Sequence, residues 1–203
     1  MNLILESKII SDYIKESKYI NYRNKEILNL SKTLFYNCNS DNEVIKKAFE
    51  FVRDKIKHSG DIKSDKITKS ASEVLENKEG ICYAKSMLLA ALLRGQKIPT
   101  GFCYQKLTSR SKPGEKYLIH ALNAVYIKSL DSWMRLDARG NKEGVESNFY
   151  LGKEDLPFKV RKEYNEKDYN IIYVEPNIKT IYALENNDSC LKMIKNNLPT
   201  DIY

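Results

Sequence analysis

The sequence predicts an α+β fold, because helical patterns fill its first half and strand patterns follow them. Residues 41–57 and 82–95 repeat apolar side chains at the spacing of a helix with one buried face. Residues 117–127 are apolar on both alternations, as in a strand covered on both faces, and residues 133–137 form another strand after a polar turn. Two adjacent strands joined by a short turn are most simply an antiparallel hairpin.

The 203 residues are most simply one domain with a helical segment at each end. We expect an N-terminal helical segment over 1–39, a core over 40–175 and a C-terminal helical segment over 176–203. The composition, 42% hydrophobic and 30% charged, is ordinary, and no apolar run approaches the roughly 20 residues that span a bilayer. Glu6 interrupts the N-terminal apolar run too early for a secretory signal, so we expect a cytoplasmic protein.

The first helices follow from apolar spacing and from capping residues. Apolar residues around 9–14 and 27–34 predict two amphipathic helical pieces. A serine three residues before a glutamate, at Ser40 and again at Ser70, forms a capping box. Helices are therefore expected from about 41 to 57 and directly after Ser70, and the first of these should pack against the helix described next.

The central element is predicted to be a helix that begins at about Cys82. Gly80 precedes it, and Arg94 and Gly95 end it; its apolar face consists of Ala84, Met87, Leu88, Ala91 and Leu92. A thiol in the first turn meets the positive end of the helix dipole and unpaired backbone N–H groups, both of which favour the thiolate. Cys82 is therefore either a poised nucleophile or, like most cysteines beside apolar residues, a small core side chain.

The remaining elements follow from chain breaks and alternation. Ile98-Pro99 ends the helix, and residues 100–107 continue as an apolar, aromatic strand. After the hairpin, a short strand is expected over 171–174. Helical pieces should then start at about Asn177 and about Asp188.

His120 lies inside the first strand of the hairpin, and Asp137 ends the second. Their midpoint falls at the start of the turn, so the two side chains are expected to be cross-strand neighbours on one face. A cysteine nucleophile needs a base to accept and return its proton, and that base needs a carboxylate to orient it. Cys82, His120 and Asp137 supply such a set. The alternatives are a core histidine satisfied by backbone and a carboxylate that caps the following turn.

The four cysteines, Cys38, Cys82, Cys103 and Cys190, contain no C-x-x-C pair, so neither a zinc knuckle nor a thioredoxin-like motif is present. In a reducing cytosol we expect free thiols. A zinc site built from Cys82, Cys103 and His120 is a less favoured alternative, because these residues lack the spacing of ligand pairs. No metal or organic cofactor is expected.

The net charge of +7 raises the question of nucleic-acid binding, since basic surfaces follow phosphates. Lysines alternate with glutamates and aspartates along most segments, and no nucleic-acid-binding motif is present. We therefore expect a solvated, lysine-rich surface, with neither a nucleic-acid nor a membrane partner.

Three blocks of the sequence, in this order, resemble the transglutaminase-like superfamily of papain-related cysteine enzymes. Gly80-Ile81-Cys82 with its helix resembles the nucleophile block, residues 120–126 (HALNAVY) the histidine block and residues 133–137 (WMRLD) the aspartate block. With the helix before them, the blocks cover roughly residues 41–140 and are similar to stand-alone bacterial members. The resemblance implies an α+β core in which the nucleophile helix packs on an antiparallel sheet.

By the same resemblance, Cys82 is the nucleophile, His120 the general acid and base, and Asp137 its orienting partner. They would serve a cysteine hydrolase or acyltransferase that acts on peptide or protein amides through a thioester. The tryptophan that the family commonly has two residues after its histidine is Leu122 here, and no tryptophan precedes Cys82. These departures count against protein cross-linking, so hydrolysis is favoured over transfer to an amine. The rival interpretation is a non-catalytic binding module that keeps the fold.

The oxyanion that forms during acyl transfer needs hydrogen-bond donors, and the backbone N–H of Cys82 is the first candidate. Gln105 and Tyr104, on the strand after the helix, and His58, before it, are further candidates for oxyanion or substrate contact. Their alternatives are an ordinary strand amide, a core aromatic side chain and a solvated loop histidine.

Overall fold

The computed structural model describes residues 1–109 and 111–203 and has mixed helix and strand content. The α-helices are α1 (Lys25–Phe35), α2 (Asp41–Lys55), α3 (Ala71–Asn77), α4 (Cys82–Gly95), α5 (Ile178–Glu185) and α6 (Cys190–Lys192). Short 3₁₀-helices cover Ile10–Ile14, Lys128–Leu130 and Lys162–Tyr164, and a π-helical turn over Met193–Asn197 extends α6. Among the described residues, no helix has the length and apolar character needed to cross a bilayer.

In the described residues, the strands form one antiparallel sheet and two short parallel ladders. They are β1 (Ile4–Leu5), β2 (Lys57–His58), β3 (Glu79–Gly80), β4 (Thr100–Thr108), β5 (Tyr117–Ile127), β6 (Ser132–Leu136), β7 (Lys167–Asp168) and β8 (Ile171–Ile172). The antiparallel sheet has the order β6-β5-β4-β7, while β1 pairs with β8 and β2 with β3. The predicted β5–β6 hairpin and the α+β fold class are confirmed.

The predicted capping boxes start α2 and α3. Ser40 Oγ accepts the N–H of Glu43 at 3.3 Å, and Ser70 Oγ accepts the N–H of Glu73 at 3.4 Å. Each glutamate in turn accepts a backbone N–H just before its helix, at 2.9 Å. The buried face of α2 packs against α4, as expected.

α4 is the central helix and is buried along nearly all of its length. The sequence predicts one apolar face, but α1 to α3 contact one side of α4 and β4 and β5 contact the other, so Lys85 and Arg94 are enclosed as well. Arg94 is satisfied by backbone: it donates to Thr100 O at 2.8 and 2.9 Å, to Lys15 O at 2.9 Å and to Val174 O. This guanidinium ties the N-terminal segment and the chain after β8 to the end of α4.

The terminal segments pair with each other in ways that the sequence does not predict. The helical piece predicted around residues 9–14 is a 3₁₀-helix over Ile10–Ile14, and within it Tyr13 donates its hydroxyl to Ile172 O at 2.9 Å. The strand expected over 171–174 is two residues long, because β8 pairs with an equally short β1. The Tyr13–Ile172 contact joins residues 159 positions apart, which the spacing within each segment does not encode.

Gly101 in β4 has no room for a side chain. A Cβ at this position would lie 2.8 Å from Tyr173 O and would overlap Ile172. We expect Gly101→Ala to lower the free energy of unfolding by about 2–3 kcal/mol, because the packed backbone and side chains would have to move. Urea unfolding measures the effect, with Gly95→Ala as the control, since a Cβ there meets Tyr22 at an ordinary 3.6 Å. Equal stability of the two variants would contradict this packing.

Candidate active site

Cys82 is the first residue of α4, and the β2–β3 ladder positions it. The ladder pairs His58 with Gly80, and a Cβ at Gly80 would lie 2.9 Å from Thr68 Oγ1, so the chain packs closely just before the helix. Ile81, the N-cap residue, provides no side-chain hydrogen bond, and no acidic residue lies in the first turn. No side chain of α4 therefore neutralises the positive end of the helix dipole, and the half-buried Cys82 thiol lies at that end.

His120 and Asp137 form a buried ion pair. His120 Nε2 lies 2.5 Å from Asp137 Oδ2, and the two residues are 4% and 1% exposed. The β5–β6 ladder pairs Asn123 with Leu136, and the same register continued places Asp137 beside Leu122. His120 is thus a diagonal neighbour on the same face, not the directly opposite residue, because the turn is centred about one residue later than predicted.

The second oxygen of Asp137 is held by the loop that follows β6. Asp137 Oδ1 accepts the backbone N–H of Arg139 at 2.9 Å, and the Arg139 guanidinium donates to both oxygens of Asp61 at 2.7 and 2.9 Å. Lys142 also contacts Asp61, at 2.6 Å. Burial alone would raise the pKa of Asp61, but hydrogen bonds from Arg139 and Lys142 outweigh it and lower that pKa to about 2. The loop after β2 is thereby fixed to the loop that carries Asp137.

Asp61→Asn is expected to lower the free energy of unfolding by about 2 kcal/mol at neutral pH, because Asn cannot replace the charge that Arg139 and Lys142 contact. Since the pKa of Asp61 lies below its ordinary 3.8, this stabilisation is present above that value and disappears as the pH falls toward about 2. Urea unfolding across this range measures it, with the exposed Asp188 changed to Asn as the control. A stability gap that stays constant below about pH 4 would contradict this role.

The buried pair sets the protonation of His120. Burial alone would lower the pKa of His120, but the charges of Asp137 and Cys82, and the side-chain hydrogen bonds that the His120 ring makes to both, raise it to about 10. Because Nε2 is engaged by Asp137, Nδ1 is the ring nitrogen of His120 that remains for a second partner. The structure therefore pairs His120 with Asp137 and places His120 in the lining of the same cavity as Cys82.

A segment that sequence reasoning missed covers the ring of His120. The Phe158 ring packs edge-on against His120, with centroids 4.9 Å apart and an interplanar angle of 82°. Gln105 lies directly opposite His120 in the β4–β5 ladder, and its Nε2 donates to Phe158 O at 3.2 Å and to Asp168 Oδ1 at 2.9 Å. Nothing in the spacing of the sequence signals these contacts, because Phe158 lies in an irregular connection.

Cys82 and His120 line a cavity of about 830 Å³ whose walls are mostly apolar. His58 and Asp61 also line it, so His58 shares the cavity with Cys82. Burial, followed by the charge of Arg139, lowers the pKa of His58 to about 3, so its ring is neutral at ordinary pH. Among the described residues, Nδ1 of His58 is buried without a hydrogen-bond partner.

The structure does not bring Gln105 or Tyr104 to the cavity. The amide nitrogen of Gln105 is already donating to Phe158 and Asp168, and its oxygen is buried away from partners within the described chain. The Tyr104 hydroxyl accepts the N–H of Asn177 at 2.6 Å, and burial raises the pKa of this tyrosine. Both side chains are structural, as their alternative interpretations stated.

The zinc alternative also fails on placement. Cys103 lies in a separate buried cluster with Tyr13 and Leu122 and does not line the cavity that Cys82 shares with His120. Within residues 1–109 and 111–203, no three His, Cys, Asp or Glu side chains are grouped so that they could hold a metal ion.

Lys85, one helical turn after Cys82, is a second residue that sequence reasoning missed. Its ammonium is buried behind the site and donates to Ile56 O at the end of α2. Burial lowers the pKa of Lys85 to about 7, while the charge of Asp137 opposes this shift. A lysine in an otherwise apolar helix was the available signal for a buried polar role.

Comparisons with known proteins agree with this architecture. The profile of the transglutaminase-like superfamily matches residues 28–138. A candidate cysteine protease from Cytophaga hutchinsonii has a similar solved structure, with a TM-score of 0.52 and 20% identity over 66% of this chain and 43% of that one. A candidate protease from Parabacteroides distasonis matches with a TM-score of 0.40 and 11% identity, over 65% of this chain and 28% of that one.

No curated protein matches the sequence. The chain spans less than half the length of either solved structure, and at these identities the likeness to the Cytophaga protein extends to the fold alone. The profile, in contrast, covers more than half of the chain and includes α4, β5 and the end of β6. The chain belongs to the transglutaminase-like superfamily.

Proposed function

We propose that this protein is a cysteine-dependent acyl-transfer enzyme that acts on amide or peptide bonds. The observation that carries the proposal is the buried His120–Asp137 pair, 2.5 Å apart, beside a thiol at the N terminus of α4. A histidine held protonated next to a cysteine is the arrangement that generates a thiolate at neutral pH. Because Cys82 lines an open cavity, this arrangement favours an enzyme over a scaffold whose cleft is closed.

The reaction proceeds in two steps. The Cys82 thiolate attacks the carbonyl carbon, the S–C bond forms, and the resulting oxyanion accepts the backbone N–H of Cys82. The His120 imidazolium then gives its Nδ1 proton to the departing amine as the C–N bond breaks. Water attacks the thioester, His120 takes the proton of that water, and the thiolate leaves with the acid as product.

Asp137 holds the imidazole ring of His120 and stabilises its positive charge in both steps. The neutral His58, on the wall of the cavity, is the proposed second contact for the substrate, since a neutral imidazole offers one donor and one acceptor. His58 lines the cavity directly, whereas Asp137 acts through His120, which lines it.

Hydrolysis is the proposed outcome, in preference to transfer to an amine. A peptide library incubated with the protein, with and without an isotopically labelled primary amine, separates the two outcomes by mass spectrometry. We expect cleaved or deamidated peptides in both mixtures and little incorporated amine, and we expect Cys82→Ala to abolish both products. If peptide carrying the labelled amine is the main product, the proposed reaction is transfer to an amine and not hydrolysis. Product formation that survives in Cys82→Ala would overturn the enzyme proposal.

A further inference from the structure

The cavity that contains Cys82 has an excess of positive charge. Among the described residues that line it, five are basic, namely Lys116, Arg139, Lys159, Arg161 and Lys195, and two are acidic, namely Asp61 and Glu166. Both acidic residues are already paired, Asp61 with Arg139 at 2.7 Å and Glu166 with Arg161 at 2.6 Å. The acidic side chains of the cavity therefore neutralise its arginines and leave the lysines uncompensated.

We call Lys116, Lys159 and Lys195 the basic rim. All three are exposed, and none forms an ion pair within the described residues. The Lys116 ammonium, just before β5, donates to the backbone oxygen of Lys195, so the chain at Lys195 lies against the Lys116 side chain. Lys159 follows Phe158, whose ring packs on His120, and it lines the same cavity as the other two lysines.

The rest of the cavity wall, which the basic rim shares with the thiol, is mostly apolar. It includes Leu107, Leu118, Leu156, Pro157, Phe158 and Leu198. A wall of this kind receives a bulky apolar side chain and excludes water from the reacting bond. A ligand that satisfies both features carries an apolar group close to the scissile carbonyl and negative charge beyond it.

We propose that the acyl donor is an acidic peptide, with a large apolar residue at the scissile bond and a glutamate or aspartate that meets the basic rim. This inference rests on the proposed function and names the substrate class of the same site. A peptide is favoured over other polyanions because the apolar wall and the Cys82–His120 pair suit an amide flanked by a side chain.

Two matched peptidyl acyloxymethyl ketones test the proposal. They share a C-terminal phenylalanyl ketone and differ by glutamate or glutamine at the next two positions. Cys82 forms a thioether with the probe carbon as the carboxylate leaves. We expect the glutamate probe to label Cys82 about fivefold faster at low salt, because its carboxylates meet unpaired ammonium groups. High salt should reduce this preference by screening.

The preference should disappear in the triple variant Lys116→Gln, Lys159→Gln, Lys195→Gln. The matched control changes Lys8, Lys25 and Lys32 to Gln, which removes the same net charge from exposed positions outside the cavity. The control should keep the preference. Equal labelling by the two probes, or a preference kept by the rim variant, would overturn the inference about the substrate. The proposed function would still stand in that case, because Cys82 is labelled. No Cys82 labelling by either probe would overturn both.

Discussion

His120→Asn is expected to lower the rate of peptide-bond cleavage by about 10³-fold, the range that general acid–base catalysis contributes. The substitution removes the group that holds the Cys82 proton and protonates the departing amine. Asn is smaller than the ring, but Asp137 still accepts the backbone N–H of Arg139. If the variant is folded under the assay conditions, its loss of rate measures the catalytic contribution of His120. Single-turnover kinetics with the best peptide of the library measure the loss.

A matched ester sharpens this prediction. A p-nitrophenyl ester of the same acyl group needs no proton for its leaving group, so its acylation of Cys82 should lose only the contribution of thiolate formation and should fall less in His120→Asn than acylation by the peptide. Equal losses on ester and amide would mean that His120 does not act as the acid for the leaving amine. Wild-type rates on both would remove it from the mechanism.

Asp137→Asn is expected to destabilise the fold by on the order of 3 kcal/mol at pH 6, because it removes the larger of the two negative charges that stabilise the buried His120 imidazolium. The pH dependence of this loss of stability follows from the raised pKa of His120, about 10. A raised histidine pKa stabilises the fold fully below its unfolded value, near 6.5, and this contribution disappears as the pH rises through about 10. Wild type and variant should therefore converge at high pH.

Urea unfolding at about pH 6, 8 and 10 measures this convergence. Asp188→Asn, at an exposed carboxylate, is the control and should show no pH-dependent gap. If the free energies of unfolding of wild type and Asp137→Asn differ by a constant amount across this range, the residue contributes shape and hydrogen bonding. Its charge then does not hold the proton on His120.

The fold could be predicted where local spacing decides it. β5 was predicted to its exact ends because both of its faces are covered, and α4 begins at the predicted Cys82 because a close-packed turn precedes it. His120 and Asp137 meet as expected because strand alternation keeps them on one face even when the turn centre shifts by one residue.

The rest of the site depends on contacts between distant segments. The Arg139–Asp61 ion pair joins residues 78 positions apart, and Phe158 reaches His120 from an irregular connection. Gln105 was one candidate for oxyanion or substrate contact, but its strand partner is His120 itself and its amide binds the covering segment. No pattern within one element reveals such contacts, because they are set by how the elements pack.

The reactivity of Cys82 tests the central claim most directly. Brief exposure to iodoacetamide, followed by peptide mapping, compares its alkylation rate with those of Cys38 and Cys190 in the same molecule. The account predicts that Cys82 reacts fastest of these thiols near neutral pH. His120→Asn should slow this reaction far more than His58→Asn does, because alkylation needs the thiolate but forms no oxyanion and needs no contact to a peptide substrate. Cys82 reacting no faster than the other thiols, or slowing equally in the two variants, would contradict it.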